Sequence, residues 1–183
     1  MRIQETNLRE FSGARPIVVG VNGSRASLAA LRWAVAEAEA RKVPLVTVHA
    51  WEPSVRRRAP YATVAERRTP AEDRESGQRL VQVAVAAVRM AHPGADVRAV
   101  LAEGPPVAVL LRYSDDALLL TLGQSLYRDG SPTELGPVTR ACVRESHCPV
   151  VTVPELRATA RHSELPPVAP VAPVAPVATA LAG

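Results

Sequence analysis

Short apolar runs ending in turn residues alternate with longer stretches of helical period from residue 16 to residue 153, and this alternation narrows the possible folds more than any other feature. The first run, PIVVGVN at 16–22, is apolar at consecutive positions, which predicts a strand buried on both faces. It stops at Asn22-Gly23. Ser24 is placed to cap a helix whose apolar positions Leu28, Leu31, Val35 and Ala38 recur at helical spacing up to about Arg41. PLVTVHA at 44–50 then reads as a second buried strand. A strand, a helix and a second such strand describe a right-handed parallel crossover.

The alternation continues along the chain. Residues 53–70 hold prolines and arginines with no period and read as an irregular excursion. A helix is expected from about Ala71 to Ala91, with Leu80, Val83, Ala84, Ala87 and Val88 on one side, stopped by HPG at 92–94. A strand at 96–101, a short helix opened by Pro105 and Pro106, a strand at 117–122, a loop, a helix from Pro137 to about Glu145 and a last strand at 149–153 complete the series. The order specifies an α/β fold, an open, doubly wound, five-stranded parallel sheet of Rossmann-like type with strand order 3-2-1-4-5. Residues 1–14 precede this domain of residues 15–154. From Glu155 onward the pattern fails, and PVAPVAPVAPVA at 167–178 puts proline at every third position. That spacing forbids helix and sheet and favours polyproline II, so residues 155–183 read as a tail.

Charge and composition exclude several classes of function. The formal charge is +4, and the segment holding Arg56, Arg57, Arg58, Arg67 and Arg68 against Glu66 accounts for the whole excess. A solvated loop explains that segment better than a nucleic-acid or lipid site. Aromatic residues make up 3% of the chain, leaving little on which bases could stack, so no nucleic-acid partner is expected. The first residues mix charges and lack the continuous apolar region of a signal peptide, and no long apolar window spans a membrane, so a cytoplasmic protein is expected. Cys142 and Cys148 read as reduced thiols. His49 inside a strand reads as a satisfied histidine near the core, and the pair Asp115-Asp116 as a helix-ending turn. His147, Cys148 and Cys142 have no zinc spacing. No catalytic residue and no metal site are expected.

In an open α/β sheet, ligands sit at the carboxyl ends of the strands where strand order reverses. This points to the ends of the first and fourth strands, where Gly20-Val21-Asn22-Gly23-Ser24 and the stretch from Leu122 and Gly123 converge on one crevice. A phosphate loop ending in lysine is excluded, because Lys42 is the chain's lysine and follows Arg41. The dinucleotide fingerprint is absent, and so is the acidic cluster of a phosphorelay receiver.

GVNGSRASLAALRWAVAEAEARKVPLVTVHAW at 20–51, EGPP at 103–106, LLLTLG at 118–123 and HCPVVTVP at 147–154 together resemble a universal stress protein domain. The resemblance implies a stress-response protein that dimerises through its last strand, here Val150, Val151, Thr152 and Val153. ATP-binding members hold the nucleotide with the pattern G-x-x-G-x9-G-[ST]. Gly123 and Gly136 match its first and third glycines, and Val138 and Thr139 match residues that line the phosphates. Asn22 stands where relatives carry an aspartate near ribose and adenine, and Ala50 would offer its backbone to adenine. Leu126 replaces the second glycine, and Pro137 replaces the final Ser or Thr.

Each departure weakens the site. A positive φ at Leu126 would cost about 1–2 kcal/mol, and Pro137 removes a hydroxyl and an N–H from the helix terminus that should hold the anion. Arg128, Asp129 and Glu134 leave the loop with a net negative charge. Three lost terms of ~1 kcal/mol each weaken binding by a factor on the order of 100. Against this, Asp129-Gly130-Ser131 could form a nest of N–H groups for a phosphate. The expectation is a dimeric regulatory or adaptor module with a degenerate adenine-nucleotide site, in which ATP binding is weak or lost and an unidentified protein is the partner. An ATP-binding switch, with slow hydrolysis, and a nucleotide-free interaction protein are the alternatives.

Overall fold

The computed structural model describes residues 14–54, 69–124 and 135–155. The arginine-rich segment, Leu126, the nest at 129–131 and the tail lie outside the described residues. Nine elements alternate in chain order: β1 Ile17–Gly20, α1 Arg25–Arg41, β2 Leu45–Trp51, α2 Pro70–Ala91, β3 Val97–Glu103, α3 Pro106–Ser114, β4 Leu119–Gln124, α4 Pro137–Glu145 and β5 Val150–Pro154. All four strand pairings are parallel, and the order is β3-β2-β1-β4-β5. The switch point therefore falls between β1 and β4.

The consecutive apolar residues of β1 divide between two cores. Ile17, Val19 and Val21 face one side, together with Leu45 and Leu119. Val18 faces the other, with Val46, Val48, Leu120 and Leu122. Helices α1 and α2 cover the first face, and α3 and α4 the second. Helix α1 lies close to the sheet because Ala26, Ala30, Ala34 and Ala38 make up most of its inward face. It ends at Lys42 in the left-handed conformation, at φ 57°. Helix α2 opens on a capping box in which Glu72 N–H donates to the Thr69 side chain and Thr69 N–H to the Glu72 carboxylate.

Two sequence expectations change. Strands β2, β3 and β4 each run one to two residues farther at their carboxyl ends than periodicity indicated, so Gly123 belongs to β4 and pairs with Val153 of β5 rather than opening a loop. The inward face of α2 is Gly77, Val81, Ala84, Val85 and Val88. Of the stripe read from the sequence, Val83 is 70% exposed and Ala87 is also exposed, because that stripe turns toward α1 instead of the sheet.

Candidate functional site

The turn after β1 is built by its own polar side chains. Asn22 Oδ1 accepts from Ser24 N–H at 3.0 Å, Ser24 Oγ accepts from Ser27 N–H at 3.1 Å, and Ser27 Oγ donates to the Ser24 carbonyl at 2.9 Å while accepting from Asn22 N–H at 3.3 Å. Gly23 takes φ +80°, which residues with a Cβ rarely adopt. This closed turn fixes the start of α1 above the end of β1. His49 Nδ1–H donates to the Val21 carbonyl at 2.7 Å and ties β2 to the same turn, as a partly buried, satisfied histidine.

Gly123 lies beside this turn for a packing reason that motif reasoning missed. A Cβ there would stand 2.4 Å from the Ala26 carbonyl carbon and 2.5 Å from Ser27 N. At Gly123 the end of β4 meets the backbone of the first turn of α1. Helix α4 starts opposite, with Gly136 at its N-cap and Pro137 in its first turn, and Gly136 carries no side-chain cap. Gly136 sits at φ −58°, a conformation open to any residue, and no atom of the described residues lies within 4 Å of where a Cβ would go.

A cavity of about 160 Å³ opens between these parts. Gly20, Asn22, Ala50, Leu122, Gly123, Val138 and Thr139 line it, and Gly136 does not. Ser24, at the end of the turn that sequence reasoning placed at the crevice, lines it, and so do Ser27 of α1 and Pro106 and Leu110 of α3, which sequence reasoning did not assign to it. The Ser24 capping signal and the EGPP turn were the available hints. Among the described residues that line it, none is charged. The first turns of α1, α3 and α4 contain no acidic residue, whereas α2, which does not line the cavity, has Glu72 and Asp73. The positive ends of helices α1, α3 and α4 thus face the crevice without internal neutralisation.

A larger cavity of about 490 Å³ lies elsewhere, between α1 and α2. Its walls are mainly aliphatic. A small-molecule site is recognised by converging polar groups as well as by volume, and of these two cavities it is the crevice at the β1–β4 switch point that brings Asn22, Ser24, Ser27 and Thr139 together with helix N-termini. The crevice is smaller than the roughly 300–1,000 Å³ of a complete ligand site and matches one moiety of a ligand. Among the described residues no group of three or more His, Cys, Asp or Glu is placed to hold a metal ion. No helix there is long and apolar enough to cross a membrane. Asp115 ends α3 and pairs with His147 at 3.0 Å, well apart from the crevice lining.

The model of the universal stress protein family matches residues 13–154. Universal stress protein Rv2623 of Mycobacterium tuberculosis strain H37Rv is 33% identical over 159 residues, covering 83% of this chain and 52% of the relative. Universal stress protein Rv2028c of the same strain is 31% identical over 137 residues, covering 75% and 47% respectively. The chain spans about half the length of the curated relatives it matches. Among solved structures, a universal stress protein in complex with cAMP aligns with a TM-score of 0.57 at 24% identity, over 78% of this chain and 98% of the other. The universal stress protein of Archaeoglobus fulgidus in complex with dAMP aligns with a TM-score of 0.53 at 24% identity, over 76% and 98%.

Proposed function

Because this chain belongs to the universal stress protein family, we propose that it is a regulatory adaptor whose crevice holds the adenosine end of an adenine nucleotide and grips the phosphates weakly. The observation that carries this reading is the cavity at the β1–β4 switch point, lined by Asn22, Ala50, Gly123 and Thr139 beside a helix that begins on Pro137. Its size suits a base with part of its ribose. The uncharged lining and the acid-free helix ends favour an anion just outside it. Relatives of the same fold were solved with cAMP and dAMP, each bearing a single phosphate.

Pro137 sets the weakness at the phosphate end. At the first position of a helix it causes no strain, but it supplies neither an N–H nor a hydroxyl to an anion. One lost donor is worth about 1 kcal/mol, or roughly a factor of five in affinity.

Calorimetric titration with AMP and with Mg-ATP tests the reading in the wild type and in Pro137→Ser. The two nucleotides should bind the wild type with similar affinity, and Pro137→Ser should tighten ATP by roughly fivefold while leaving AMP little changed. Absence of heat with either nucleotide in both proteins would replace this reading with a nucleotide-free interaction protein. A strong preference of the wild type for ATP, with turnover, would replace it with a nucleotide switch.

A further inference from the structure

The groove between α1 and α2 is independent of the nucleotide crevice. Leu28, Leu31 and Val35 of α1 and Leu80, Val83 and Ala87 of α2 form its walls. The helices are joined at its far end, where His92 Nδ1 lies 2.7 Å from the Glu39 carboxylate. Between these points the groove is open, with a volume of about 490 Å³ and Val83 70% exposed. An apolar channel of this size on an otherwise charged surface marks an interaction site.

We propose that this groove is the docking site for the chain's own Pro-Val-Ala segment, residues 167–178. The first support is where the described chain ends. Glu155 pairs with Arg25 at 3.7 Å, so the chain leaves the fold at the N-terminal turn of α1. The Gly23 and Leu28 end of the groove is on the same helix end, about one helix diameter, ~10 Å, away. Residues 156–166 span up to about 35 Å when extended, which is ample.

The second support is chemical. Residues 167–178 contain only proline, valine and alanine. Proline at every third position removes the N–H groups that pairing with a sheet edge requires. Such a segment is recognised by apolar contact. In polyproline II, with three residues per turn, Val168, Val171, Val174 and Val177 form one row. The α2 wall from Leu80 to Ala91 is about 16 Å long, which accommodates two Pro-Val-Ala triplets at ~3.1 Å per residue. The restricted backbone loses little entropy on docking.

Charge selects between the chain's own candidate segments. Arg32 and Arg79 border the groove, and the segment containing Arg56, Arg57, Arg58, Arg67 and Arg68 would bring like charge against them. The segment 167–178 has no charge to oppose.

The test uses the full-length chain with Ala172→Cys carrying a nitroxide label. Cys142 and Cys148 are buried, so the label goes to residue 172. The methyl resonances of Leu80 and Val83 should lose most of their intensity to paramagnetic broadening, and those of Val109 on the opposite face should keep theirs. Val83→Asp, at a position exposed enough to leave the fold intact, should abolish the broadening at Leu80. Unchanged Leu80 and Val83 intensities would overturn the proposal. Broadening that reaches an unlabelled chain mixed with a labelled one would also overturn it, and would assign the groove to a second copy.

Discussion

A methyl group on Gly123 would meet the Ala26 carbonyl carbon at 2.4 Å and the Ser27 nitrogen at 2.5 Å, and both are backbone atoms that move only if α1 moves. Gly123→Ala should therefore cost about 1–3 kcal/mol by overpacking, whether or not nucleotide is present. A urea melt without ligand checks this, and an unchanged midpoint would refute the close contact. Cys142 provides a second test at this scale. Burial, aided by the nearby Glu145 charge, pushes its thiol from 9.0 up to about 11. Well below pH 9.0 the thiol is neutral in both folded and unfolded chains, and its titration leaves stability unchanged. Between 9.0 and about 11 the unfolded chain loses the proton first, so stability falls as pH rises. Wild type should lose about 2 kcal/mol more than Cys142→Ala between pH 8 and pH 10.5. Equal losses in urea melts would show that the thiol titrates normally.

Helix α4 begins with no side-chain cap and no acidic residue, an arrangement that leaves its N-terminus electropositive at some expense of stability. Gly136 has an ordinary φ of −58° and, among the described residues, no atom close to its Cβ position. Gly136→Asp should stabilise the protein by a few tenths to about 1 kcal/mol through capping and the helix dipole. The same carboxylate should weaken AMP binding by repelling its phosphate. Opposite signs in thermal melting and calorimetry are the expected pair of results, and tighter AMP binding would place the phosphate elsewhere. Helix α2 shows how far periodicity can be read at this level. The apolar stripe Leu80, Val83, Ala84, Ala87 and Val88 was visible in the sequence, but two overlapping stripes fit its length. The sheet buries the one centred on Val81 and Val85, and the other lines the α1–α2 groove.

The sheet leaves β5 at one edge, with Val150, Val151, Thr152 and Val153 half-buried within one chain. An apolar edge of this kind is a template for pairing, and we propose that the homodimer expected from the sequence covers it. Sedimentation at micromolar concentration should give twice the mass of one chain, and Val151→Lys should shift the population to monomer. A wild-type monomer under those conditions would remove this edge as an interface. Dimerisation and nucleotide binding fail independently, because the β5 edge and the crevice share no residue.

Strand order, helix count and the position of the crevice were legible in the chain alone, because runs buried on both faces require parallel crossovers and parallel crossovers place the switch point between β1 and β4. Asn22 and Gly123 could be assigned to that crevice for the same reason, whereas Thr139 was assigned through the resemblance to the family pattern. The contact of Gly123 with Ala26 could not, because it depends on how close α1 comes to the sheet, a distance set by alanines packing from a different part of the chain. The choice between the two stripes of α2 likewise belonged to tertiary packing. A helix repeat specifies which residues share a face, whereas the neighbour that covers the face is fixed only when sheet and helices assemble.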